Sequence, residues 1–466
     1  MAANFVTTNV GDISDKVLPL HSNELWIELD GYNPATQYKY NYVIDVEISG
    51  TQIARILKKP AADNNITLNL TQFLKDRALC SFYGDDSTQV LFSHPENDGS
   101  NHPFSLPPND TDCQKVTIKV GESLATTATG SVTLTANQNN LTFYAFNGAK
   151  QYVNTSSVAQ LYDTTGGTDR ILSDRTKNTH IFNYRDSAFS GLTSDDVLIP
   201  TWRDSYYILS FLNDTSVSDA DSVQYTIVND SGVESSTSAP LDISAAYGAA
   251  APAAASAGGA SGEKVVRIGA GPANVNQWSA SIGGLVKPSA DANFAYYKMR
   301  LYDSNNLVAC SRWYVFINKD RATSSPAFEC AGGKNRYQLI WQNSRGGWDA
   351  FDFTGQARIA FENKRKMYHQ SVTTKAEPFD SYHKRPAQID SIRTYQLQTQ
   401  MLQGGEEILL KNLVSSRQVF LVQLDGGSTF APVNVKTSKY VYSPYTTMKL
   451  RNFQIEVEAA YDELIP

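Results

Sequence analysis

Histidine, cysteine and charge are scarce in this chain, and it has no long apolar run; each shortage removes a class of function. Its four cysteines, Cys80, Cys113, Cys310 and Cys330, include no CxxC pair, which argues against a zinc ribbon. A Cys310–Cys330 bridge across a hairpin is one arrangement. A chain of 466 residues buries a core without staples, however, so isolated buried thiols are the expected state. The six histidines (His21, His94, His102, His180, His369 and His383) form no HxH, HExxH or i,i+4 pair, so no catalytic zinc site is expected. Neither a GxSxG nucleophile turn nor a GxxxxGK(S/T) phosphate loop occurs. Gly269-Ala270-Gly271-Pro272 holds only a fragment of a dinucleotide fingerprint, spoiled by Pro272 and by the lack of a following amphipathic helix. The net charge of -7 leaves no basic footprint for nucleic acid. No run reaches the length of a bilayer span, and residues 1–20 lack a basic region followed by an apolar core. Neither membrane insertion nor a signal peptide is therefore expected, and synthesis in a cytosol is.

Acids are present without a catalytic pattern. Asp85-Asp86, Asp195-Asp196 and Asp219 with Asp221 fall between strand-like segments, and they are expected as solvated turn residues rather than as the two carboxylates of a glycosidase. Asp214, Asp219 and Asp221 match no calcium loop. No catalytic residue, metal or cofactor is assigned.

What the chain does have is 25 tyrosines and 20 phenylalanines among many threonines, asparagines and serines, a composition that favours strands. Residues 42–48 (YVIDVEI) alternate, with Tyr42, Ile44, Val46 and Ile48 on one side and Asp45 and Glu47 on the other. Ser49-Gly50 then turns the chain into a returning strand over 51–57. Asn147-Gly148 is a hairpin signal. The spacing predicts a short helix over 72–79 with Thr71 as N-cap, and a second over 408–416 with Leu409, Leu410, Leu413 and Val414 on one face. Residues 419–424 are apolar on both faces, as in a covered central strand, and 450–458 alternate. Residues 245–263 (AAYGAAAPAAASAGGASGE) cannot build a core and are expected as a linker, or else as a small-residue strand against a neighbouring subunit. The expected fold is mainly β: several β-sandwich domains, Ig-like or jelly-roll-like, in tandem with a few short helices. The expected division is an N-terminal β domain over 1–122, a second sandwich over 123–244, the linker 245–263, a third sandwich over 264–385 and an α+β docking module over 386–466.

Two segments stand out. Residues 341–353 (WQNSRGGWDAFDF) follow a clean strand and read as a hairpin. In it Trp341 and Phe353 lock the strands, Gly346 and Gly347 make the reversal, Trp348 caps the turn, and Asp349 bonds the turn backbone. Residues 362–395 are basic in an acidic chain, with tyrosines between the charges. Lys364, Arg365, Lys366, Tyr368, Tyr382, Lys384 and Arg385 are the candidate subunit contacts.

The run 337–355 (YQLIWQNSRGGWDAFDFTG) resembles a pattern in virion structural proteins of tailed bacteriophages, notably phages of marine bacteria, cyanobacteria and Bacteroidetes. There it reads as a strand, W-x-N, a short spacer, G, x, D and x-F/Y-x-F; Trp341, Asn343, Gly346, Gly347, Asp349, Phe351 and Phe353 carry the match. Residues 206–213 (YYILSFLN) resemble a strand opening a second sandwich, and the segments at 413–422, 431–442 and 450–460 resemble a closing module. The likeness is best over 200–466 and looser over 20–80, whereas 93–114 and 245–263 match nothing in it. It implies a tail, baseplate or neck component, resident in the virion and assembled in the host cytoplasm. Its partners would be copies of itself in a ring and other virion proteins, with no nucleic acid and no membrane insertion. A carbohydrate-binding adhesin of the same particle is the alternative, with Trp202, Trp278, Trp313 and Trp348 as exposed rings for stacking on sugars. A hydrolase is a more distant one.

Overall fold

The YVIDVEI alternation sits in a strand longer than the pattern that reveals it. The computed structural model describes residues 4–8, 17–19, 25–35, 37–48, 50–61, 64–77, 113–125, 127–146, 172, 173, 175, 189, 191–193, 196–212, 220–237, 241–242, 265–276, 288, 294–303, 313–318, 336–353, 355–369, 384–399, 406–424, 429–437 and 453–460. The first part of the chain supplies β1 (Asn4–Thr8), β2 (Val17–Pro19), β3 (Trp26–Asp30), β4 (Tyr38–Ile48), β5 (Thr51–Lys58), β6 (Ile66–Asn69), α1 (Thr71–Arg77), β7 (Cys113–Ala125) and β8 (Thr133–Phe146). Gly50, at φ 84°, makes the β4–β5 reversal that the sequence predicts. One sheet runs β2-β8-β7-β4-β5 and a second runs β1-β3-β6. Tyr42, Ile44 and Val46 share a core with Ile118 and Val120 and with Ile27 and Leu29 of the second sheet.

Two local expectations change. Asp45 is buried, and its carboxylate accepts both Arg55 Nε at 2.6 Å and Arg55 Nη2 at 2.7 Å, the paired fork that compensates a desolvated charge. Thr71 is the first helical residue and not the cap. Its hydroxyl accepts from Leu25 N at 2.8 Å, while Asn69 Oδ1 accepts from Thr71 N at 2.8 Å.

The middle of the chain forms β9 (Val197–Thr201), β10 (Ile208–Leu212), β11 (Ala220–Asn229), β12 (Glu234–Thr237), β13 (Leu241–Asp242), β14 (Val265–Gly269), α2 (Pro272–Asn276), β15 (Phe294–Asp303) and β16 (Tyr314–Asn318). A six-stranded sheet runs β12-β11-β15-β16-β9, with β13 also on β11, and β10 pairs with β14. Tyr297 stacks on Phe316 at 4.9 Å and 12° within it. Asp196 is no solvated turn residue: it is buried, with Thr193 N donating to Oδ2 at 2.7 Å.

The last part contributes β17 (Tyr337–Gln342), β18 (Trp348–Phe353), β19 (Ala357–His369), β20 (Lys384–Gln398), α3 (Glu406–Ser415), β21 (Val419–Gln423), β22 (Thr429–Val435) and β23 (Gln454–Ala459). They form a seven-stranded sheet in the order β18-β17-β21-β22-β23-β20-β19. Leu409, Leu410 and Leu413 of α3 bury against one face, among Leu339, Trp341, Leu421 and Ile455. The expected covered strand at 419–424 is β21, between β17 and β22.

The protein is mainly β, with several multi-stranded, largely antiparallel sheets. The sheets do not divide where the sequence suggests. Residue 122 lies inside β7, residue 385 lies inside β20, and strands from before and after the Ala-rich segment pair as β11–β15 and β10–β14. Strand pairing over long separations leaves no trace in local composition. The Asn147-Gly148 turn, the Ala-rich segment 245–263, Tyr382, Trp278, Cys80, Cys310 and Cys330 lie outside the described residues.

Candidate functional site

The WQNSRGGWDAFDF segment folds as the predicted hairpin, with Tyr337 opposite Phe353 and Trp341 opposite Asp349. Asn343 fastens the turn: its Oδ1 accepts from Arg345 N and from Gly347 N, both at 3.0 Å. Gly346, at φ 86°, makes the reversal. Gly347 has another role, since a Cβ built there would lie 2.0 Å from Leu172 O and 2.9 Å from Ser210 Cβ. The glycine pair thus splits into one residue that turns and one that admits a neighbouring segment.

Asp349 reaches across the fold. Its Oδ1 accepts from Ser173 Oγ at 2.5 Å and from Tyr207 OH at 3.0 Å, and its Oδ2 from Asn343 Nδ2 at 2.8 Å. Asn343 Nδ2 also donates to Leu172 O at 2.8 Å, and Arg175 Nη2 to Ala350 O at 2.8 Å. The Arg175 guanidinium lies over the Tyr207 ring at 5.5 Å. A second cluster forms around Asp352, which takes Ser205 Oγ at 2.7 Å and Gln338 Nε2 at 2.8 Å. The Gln338 amide also pairs with the Tyr206 backbone in both directions, at 2.9 and 3.0 Å.

Sequence reasoning missed Ser173, Tyr207, Gln338 and Asp352 as members of this arrangement. A signal existed for the last two: Gln338 and Asp352 interrupt strands otherwise rich in large apolar residues, and they face each other in register. Residues 172–175 carry no such signal.

The two clusters seal one edge of the seven-stranded sheet. β18 is terminal, yet all six of its residues are buried, and the segments around 173 and 207 occupy its flank. Ser173, Tyr207 and Asp349 are each committed to one another and are 3%, 1% and 1% exposed, so the cluster fastens strands and presents no reactive group to solvent. Burial first, and Asp349 second, push the Tyr207 hydroxyl far above its ordinary range. Burial likewise raises Tyr297, and it lifts Tyr296 to about 12. Unfolded tyrosine ionises near pH 10, roughly, while these folded groups keep their protons. Their contribution is therefore complete below about pH 10 and declines as pH rises toward the folded values, because the unfolded chain then binds fewer protons. Urea midpoints measured from pH 8 to 11 should fall above about pH 10, and Tyr207→Phe should reduce that slope. A flat profile would contradict it.

At the opposite edge no described strand pairs with β19 beyond β20. β19 pairs with β20 over thirteen positions, from Ala357–Leu397 to His369–Lys384, but β23 joins β20 only at 394–398. Among the described residues, 361–369 and 384–393 thus pair only with each other, as a two-stranded ribbon about 30 Å long at the usual strand rise, with Ser391 buried on its β20 side. Every residue from 358 to 367 is exposed. One face carries Ile359, Phe361 and Met367, which are 44%, 57% and 49% exposed. The predicted contact residues gather here: Lys364, Arg365 and Lys366 are exposed on β19, and Tyr368 stands opposite Arg385 next to the His369–Lys384 pair.

Of the proposed sugar-stacking tryptophans, Trp202, Trp313 and Trp348 are described, and two of them are buried. Trp348 is 1% and Trp202 9% exposed. Arg336 lies over the Trp202 ring at 5.0 Å, and Lys298 and Arg300 lie over Trp313 at 5.0 and 5.6 Å. Among the described residues no group of three or more His, Cys, Asp and Glu is placed to hold a metal ion, and no helix is long and apolar enough to cross a membrane. No protein-family model matches the chain, and no curated protein matches it significantly.

Proposed function

We propose that the chain is a structural subunit of a tailed-bacteriophage virion, assembled through contacts between copies into a tail, baseplate or neck ring. The β19–β20 ribbon carries this reading. A two-stranded ribbon is at best marginally stable alone in water, and an exposed strand with apolar side chains on one face is a template for pairing. The sealed β18 edge supports the same reading by contrast. The fold closes one end of this sheet with buried carboxylates and leaves the other with a long basic arm, which suits a surface that another chain covers. The virion assignment itself rests on the likeness of residues 337–355 to phage structural proteins. The role is mechanical and not catalytic, with no cofactor. The host cytoplasm is the place of assembly, and other virion proteins are the further partners.

Light scattering on purified chain should give a mass several times the 51.3 kDa of one copy, and purified particles should contain the protein. A monomer at all concentrations that is also missing from particles would end this proposal.

A further inference from the structure

We infer that the β19–β20 ribbon of one copy adds to the β12 edge of the next copy, a head-to-tail contact between two different surfaces. The inference rests on the self-assembly proposed above and names its two faces. The donor is defined by charge. Residues 357–369 and 384–393 hold seven Lys and Arg against two acids. Pairing this strand with its own counterpart in another copy would bring Lys364 and Arg365 near their like charges, and like charges opposite one another on strands are destabilising. A different, acidic edge is required.

Among the described strands one edge meets that need. Among the described sheet edges, β1, β2, β6, β9 and β10 carry no charged residue, and β5 and β14 carry only basic ones. β18 is sealed. β12 bears Glu234 and β13 bears Asp242, and both lie on the same side of β11 at the end of the six-stranded sheet. Residues 220–242 contain four acids and no Lys or Arg. Val233, at 58% exposed, and exposed Glu234 stand at the start of this edge, beside a turn closed by Asn229. Glu234 meets Lys298 of its own chain at 3.2 Å, and its side chain stays 53% exposed.

An added β19 gives β12 a ladder partner and brings a basic strand to the acidic edge. Because donor and acceptor differ, copies link in one direction, closing into a ring where the rotation allows.

The test uses the full chain with two charge reversals, Lys364→Glu with Arg365→Glu on the arm and Glu234→Lys with Asp242→Lys on the edge. Light scattering should find each variant monomeric where the unaltered chain is oligomeric. An equimolar mixture of the two should assemble again, since each reversed face meets its complement. Oligomeric variants, or a mixture that stays monomeric, would overturn the inference. Hydrogen exchange on the unaltered chain is independent of how the variants fold. Amides of 361–367 and 234–237 should be protected in the oligomer relative to the dilute chain, and protection of neither would also overturn it. An unaltered chain that is monomeric yet present in particles would refute the copy-to-copy contact and leave the virion proposal standing.

Discussion

Gly347→Val should leave little soluble protein, and what remains should unfold at a much lower denaturant concentration. The added Cβ would sit 2.0 Å from Leu172 O and 2.8 Å from Leu172 Cβ. The obstacle is backbone, so a rotamer change cannot relieve it. Asn343 holds the same carbonyl through a 2.8 Å bond and also fastens the Gly347 amide, so neither side of the contact is free to withdraw. A loss of about 4 kcal/mol or more is expected, a large share of ordinary domain stability. Gly347→Ala should already show most of it. Gly346→Ala should cost only about 1–2 kcal/mol, the usual penalty for a side chain in the left-handed region, and Gly346→Asn less. Denaturant midpoints of the four variants give the order directly. Gly346→Ala proving the more damaging would mean that the turn, and not the close approach, makes this pair necessary.

Asp349→Ala should be the next most damaging change. It removes the acceptor of Ser173, Tyr207 and Asn343 at once, leaving three buried donors that water cannot reach. An unsatisfied buried donor costs about 1–3 kcal/mol, so a total near 3 kcal/mol is expected once partial relaxation is included. Asp349→Asn keeps the volume but turns an NH2 toward donors, and it should fall between. Ser173 is 176 positions away in sequence. A double-mutant cycle between Ser173→Ala and Asp349→Ala should therefore give a coupling of about 1 kcal/mol or more. Additive effects would mean that the clasp does not join the two segments energetically.

Much of this architecture is legible in the chain. The alternation at 42–48, the leucine spacing at 409–413, the doubly apolar run at 419–424 and the glycine-bearing turn at 343–347 each appear as the elements their periodicity implies, because periodicity reports which faces are buried. The domain division was not legible, since β11 meets β15 across a long insertion and β7 crosses the expected boundary. The roles of acids were misread for a related reason. Asp45, Asp196 and Asp349 resemble turn or surface residues in sequence, and each is buried with donors around it.

The sequence by itself determined the β-rich class, the hairpin at 341–353 and the basic character of 362–395, because composition, period and charge are local properties. The tertiary structure decided the rest. Gly347 is needed for Leu172, Asp349 binds Ser173 and Tyr207, and one sheet edge is sealed while the other ends in the β19–β20 ribbon. Those facts depend on segments over a hundred residues apart meeting in space. A buried carboxylate is tolerated only where such a meeting supplies its donors, and an edge is open only where none supplies a strand.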